Sequence, residues 1–95
     1  MKLLEVKKST KTGKKYMAVF ENNGRKKTIH FGDSSAQDYT QHGDKQRREN
    51  YLSRHKSREN WNDPSTAGAL SRWLLWGNST SFADNLRSFR SRFGL

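Results

Sequence analysis

The sequence predicts a small α+β domain in which a three-stranded antiparallel meander precedes three helices. Three observations carry that expectation. Asn23-Gly24, a strong hairpin signal, sits between two short runs that alternate apolar and polar residues. Beyond residue 63 the apolar side chains recur at helical spacing behind capping residues. Finally, 95 residues of which 31% are hydrophobic but 12% aromatic suffice for one core built from a few large rings, over a single domain 1–95.

The strands are expected at about 2–8, 15–21 and 25–31, forming a β-sheet subregion over 1–32. The polar stretch Ser9 to Gly13 separates the first two, and Asn22 to Gly24 the last two. A type I′ turn needs positive φ at both central residues, which Asn-Gly supplies. With a two-residue turn, position i faces position 47 − i, so Phe20 lies opposite Lys27, Ala18 opposite Ile29 and Tyr16 opposite Phe31. Tyr16, Ala18, Phe20, Ile29 and Phe31 then share one face. A register one residue away would mix them with Lys26, Thr28 and His30.

Residues 33–95 form the helical subregion. Asp33 to Gly43 is polar and reads as a loop with one short turn. Asp44 is an N-cap for a helix over about 44–60, in which Arg47, Tyr51, Arg54, His55 and Arg58 fall on one face. Asp63-Pro64 is a start signal for a helix over about 64–76 that Gly77 ends, with Ala67, Leu70, Trp73 and Leu74 on its apolar face. Ser81 and Asp84 resemble a capping box for a last helix over about 81–92. Its Phe82, Leu86, Phe89 and Phe93 recur at i, i+4, i+7 and i+11.

Nineteen Lys and Arg against nine Asp and Glu give a formal charge of +10. Residues 1–30 carry +7 of it, residues 31–60 only +1 and residues 61–95 +2. A charge this large attracts a polyanion, and nucleic acid is the first such partner to consider. With no cysteine there is no disulfide scaffold, thiol nucleophile or zinc finger. The longest apolar run, Trp73 to Trp76, is far short of a membrane span. His30, His42 and His55 do not pair at ligand spacing, so no metal or other cofactor is expected. His55-x-x-Arg58 lacks the second arginine and the downstream tyrosine that recombinase chemistry needs, and no other catalytic constellation appears. A non-enzymatic protein is expected.

The cations fall into two groups. Lys7, Lys8, Lys11, Lys14 and Lys15 cluster around the first turn, and Arg25, Lys26 and Lys27 open the third strand. Arg47, Arg54 and Arg58 line the middle helix, where beyond Asp44 only Glu49 and Glu59 can pair with arginine. Lysine is a point charge that reads no base edge, so the pattern suits phosphate binding without sequence preference. Phosphate contacts alone do not separate DNA from RNA.

The blocks Thr28-Ile29-His30-Phe31-Gly32, Asp38-Tyr39-Thr40, Arg54-His55, Arg58-Glu59-Asn60-Trp61, Thr66-Ala67-Gly68 and Ser71-Arg72-Trp73-Leu74-Leu75-Trp76 resemble a family of small basic proteins of nucleocytoplasmic large DNA viruses, of the marseillevirus and mimivirus kind. The resemblance implies a DNA-related task in the virion, the viral factory or the host nucleus, and assigns no catalytic residue. Together with the charge it leads to sequence-independent binding of double-stranded DNA, in genome condensation, packaging or a chromatin-like accessory role. The alternative is a virion structural or protein-interaction module that docks a second copy or another virion protein through its aromatic helices.

Overall fold

A computed structural model describes all 95 residues. It forms the predicted α+β fold: strands β1 (Lys2–Lys8), β2 (Lys14–Asn22) and β3 (Arg25–Asp33) in the order β1-β2-β3, all antiparallel, followed by helices. Tyr16 pairs with Phe31, Ala18 with Ile29 and Phe20 with Lys27, as the two-residue turn requires. Asn23 at φ 53° and Gly24 at φ 80° supply its two positive dihedrals. The first hairpin departs from simple alternation. Leu3 faces Phe20 while Glu5 faces Val19, so Leu4 bulges out of the ladder. The bulge lets Leu3 and Val6, three residues apart, both reach the core side, and leaves Leu4 exposed.

The helices differ more from expectation. In the segment expected to be a loop with one short turn, Tyr39–His42 forms a one-turn helix, α1, held by the reciprocal capping box of Asp38 and Gln41. Asp44 does cap α2 (Lys45–His55), accepting from the amides of Gln46 and Arg47. That helix stops at His55 rather than near residue 60. The chain tightens into a turn in which the Arg58 amide bonds the His55 carbonyl, so Arg58 leaves the helical face. Asp63-Pro64 does not start the next helix. Asp63 accepts from the amide and hydroxyl of Ser65, which makes a turn, and Thr66 caps α3 (Ala67–Leu70) instead.

Residues Ser71–Leu75 continue α3 as a π-helical turn, closed by a bond from the Trp76 amide to the Ser71 carbonyl. Five-residue spacing aligns Ala69 with Leu74 and Leu70 with Leu75, and these four are the buried ones. Ala67 is exposed, contrary to the 3.6-residue reading. Gly77 follows for want of space rather than for its dihedral: a Cβ there would lie 2.6 Å from Asn85 Oδ1 and run into the Trp73 carbonyl. Ser81 caps α4 (Phe82–Phe93) through the Asp84 amide, while the Asp84 carboxylate pairs with Arg87 instead of closing a box.

One core joins these elements. Leu3, Ala18, Phe20 and Phe31 from the sheet meet Leu70, Leu74, Leu75 and Phe89, with Phe82, Leu86 and Phe93 packed around them. Asn85 is the polar residue inside it. Its amide donates to the Leu74 and Ser79 carbonyls at 3.0 and 2.8 Å and accepts from the Ser79 amide at 3.1 Å, tying α4 to the end of the π turn. The Arg72 guanidinium lies over Trp61 and Trp73 without a carboxylate. Burial, with help from Arg48 and Arg92, lowers its pKa to about 10.

Candidate nucleic-acid interface

The end of the sheet at the β1–β2 turn faces α2 across a cleft of about 530 Å³. Lys14 and Asp33, cross-strand partners, form one wall. The opposite wall is a stripe of α2: Arg47, Asn50, Tyr51, Arg54 and His55, at i, i+3, i+4, i+7 and i+8, a single helical face. Trp76 and Leu75 close the cleft from behind.

Aromatic rings back the α2 wall. Tyr51 is sandwiched between His55 and Trp76, with centroids 4.2 Å away on each side, and Trp76 continues to His42 at 5.4 Å. No residue of α2 is fully buried; this stack and one arginine tie the helix to the domain beside the half-buried Leu52 and contacts with α1. That arginine is Arg48, whose Nε donates to the Trp76 and Gly77 carbonyls at 3.2 and 2.9 Å and whose Nη2 donates to Asn78 at 2.8 Å. Burial, reinforced by Glu59, pushes the Tyr51 hydroxyl well above the ordinary tyrosine range, so it stays protonated.

The acids at the cleft are all engaged. Asp38 accepts from Lys15 Nζ at 2.6 Å in a nearly buried ion pair, and Gln41 accepts from the same ammonium. Asp33 holds Ser35, and those two hydrogen bonds keep its carboxyl below the usual carboxylate range. Glu59 accepts from Trp61 Nε1 at 3.2 Å and approaches His55 at 3.4 Å. Lys14, Arg47 and Arg54 have no carboxylate within 4.0 Å and are exposed.

The predicted phosphate-binding residues therefore divide. Lys8, Lys11, Lys14, Arg47 and Arg54 are exposed around this end of the molecule. Lys15, expected among them, is an internal tie between β2 and α1. Lys7 is exposed but pairs with Glu5 at 2.9 Å. Arg25, Lys26 and Lys27 are exposed at the opposite end of the sheet, about 25 Å away at ~3.3 Å per residue. Arg58 is exposed beyond the end of α2 and does not line the cleft. The solvent face of the sheet interleaves Lys2, Lys7 and Lys26 with Glu5 and Glu21 and is nearly balanced in charge. Its upper part is covered where Ser9 bonds His30 at 2.7 Å and Thr10 reaches Met17.

Trp76 lies in the apolar run that closes the helix expected over 64–76, but its stacking on Tyr51 depends on where α2 lies. The sheet, α1 and α2 also coincide with the segment that matches a known family model, over residues 4–55 and so more than half of the chain. The chain belongs to a family of unknown function, DUF5754. The family segment supplies Lys14, the α2 stripe and the Lys15–Asp38 tie, whereas α3 and α4, which bury the sheet, lie beyond it. No curated protein and no solved structure matches the chain.

Proposed function

We propose that the protein binds double-stranded DNA through its phosphates, without sequence preference, and serves genome condensation, packaging or a chromatin-like accessory role in cells infected by a large DNA virus. One observation carries the reading: cations from two distant parts of the chain, Lys14 on β2 and Arg47 and Arg54 on α2, converge on one cleft with no carboxylate partner. Lys8 and Lys11 extend that positive end. A soluble surface normally intersperses both signs, as the solvent face of the sheet does here. Glu5 and Glu21 make that face a poor partner for a phosphate backbone, which argues against a sheet laid in the major groove. Docking through the aromatic helices has less support, because Trp61, Trp73 and Trp76 are partly buried and covered by Arg72, Arg92 and Tyr51.

The test is a salt titration of binding to a random-sequence duplex, followed by fluorescence anisotropy. About six phosphate contacts predict a slope of roughly −5 in log affinity against log salt, and on the order of a thousandfold loss between 50 and 200 mM. Binding absent at low salt, or insensitive to salt, overturns the proposal.

A further inference from the structure

We infer that the cleft between Lys14 and α2 is a seat for one unpaired nucleotide of a DNA strand, with its phosphates on Lys14, Arg47 and Arg54 and its base on the outer face of His55. The inference deepens the DNA-binding reading and rests on it.

Four features lead to it. The cleft, at about 530 Å³, lies within the ~300–1,000 Å³ range of pockets that take a small ligand. Its cations stand on both walls: Arg47 and Arg54, two helical turns or about 10 Å apart along α2, face Lys14 across the opening. Its aromatic wall is an unfinished stack. Both faces of Tyr51 are covered, by Trp76 and by His55, but His55 has no ring partner other than Tyr51 and its side chain is 35% exposed. One more flat ring would extend the series. Tyr51, a lining residue of the same wall, carries a phenolic hydroxyl that can donate a hydrogen bond.

A base-paired duplex uses only part of this arrangement. Its bases are stacked on one another and present phosphates to a convex or flat surface, leaving the aromatic wall untouched. An unpaired nucleotide presents a phosphate and a free π-face together, which is the combination that single-strand binders recognise. The site thus belongs to strand ends, gaps or overhangs on the DNA that the positive surface holds.

Three fluorescein-labelled probes of equal length test this by anisotropy at fixed salt: a single strand, the same strand carrying central abasic residues, and a blunt duplex. The single strand should show a base-dependent gain that the blunt duplex lacks: loss of the central bases should cost about tenfold, the scale of one stacking contact. Arg47→Gln with Arg54→Gln should weaken the intact and abasic strands alike. His55→Ala should abolish the difference between them. In the unaltered protein, the His55 imidazole resonances should shift with the intact strand and stay in place with the abasic one, a readout that needs no variant to fold. Equal affinity for intact and abasic strands, with no base-dependent shift at His55, overturns the nucleotide seat while leaving duplex binding intact. Failure of all three probes to bind at low salt overturns DNA binding itself.

Discussion

Two adjacent lysines of β2 do unlike work. The side chain of Lys15 is 12% exposed and its ammonium is shared by Asp38 and Gln41, whereas Lys14 is exposed and has no carboxylate within 4.0 Å. Removing one partner of a buried pair strands the other charge, so Lys15→Met should destabilise by about 3 kcal/mol, while Lys14→Gln should stay within about 0.5 kcal/mol. Urea denaturation midpoints at constant m-value separate the two. DNA affinity should show the reverse order, with Lys14→Gln the variant that binds less tightly while remaining folded. Asn85 makes the second prediction at this scale. Asn85→Ala leaves the Leu74 and Ser79 carbonyls and the Ser79 amide unpaired in or near the core, and should cost about 2–4 kcal/mol, visible as a lowered Tm. A loss under about 1 kcal/mol would mean that water replaces the amide.

Among the elements, α2 is the one whose position depends on a few contacts. Its residues are polar but for Tyr51 and Leu52, none is fully buried, and among its ties to the domain are Tyr51 on Trp76 and Arg48 on the carbonyls after the π turn. Arg48→Ala should therefore cost about 2–3 kcal/mol, because charged hydrogen bonds to buried carbonyls are lost, whereas Arg47→Ala next to it should be nearly neutral. Hydrogen exchange should show the α2 amides opening at lower free energy in Arg48→Ala than in the parent, with the sheet amides less affected. The alternation of Arg47 and Arg48 is legible as helical phase in the sequence. Which of the two faces inward is not, since both flank the same Tyr51 position within one turn. The π turn was likewise illegible: Ser71 to Leu75 reads as ordinary helix, and the five-residue alignment of Ala69 and Leu70 with Leu74 and Leu75 arises from packing under the sheet.

Over the whole molecule, 41 Å in its longest dimension, the cations lie at two ends. Each phosphate contact removed should lower the salt slope by about one. Replacing Lys8, Lys11, Lys14, Arg47 and Arg54 with Gln should therefore flatten the slope by about four or five, equally for unrelated duplexes, with melting behaviour kept. Replacing Arg25, Lys26 and Lys27 with Gln should have the smaller effect, at most three. A separation of about 25 Å spans roughly seven base pairs of duplex, so both ends reach one duplex only if it runs along the sheet. If the far-end set proves the larger, the cleft end is not the main binding surface.

Alternation, the Asn23-Gly24 turn and the aromatic stripe of α4 are local signals, and from them the sequence by itself determined the meander, its register and the face that becomes the core. The N-caps at Asp44 and Ser81 were legible for the same reason, because a cap acts over three residues. The Leu4 bulge, the end of α2 at His55 and the fate of Asp63-Pro64 were not, since each answers to contacts made elsewhere in the chain. The candidate site shows the division most clearly. Net charge and the spacing of Arg47, Tyr51, Arg54 and His55 are properties of the sequence. Which cations are free, which lysine is internal and whether β2 and α2 face each other were decided by tertiary structure alone, because an ion pair such as Lys15–Asp38 joins residues 23 positions apart.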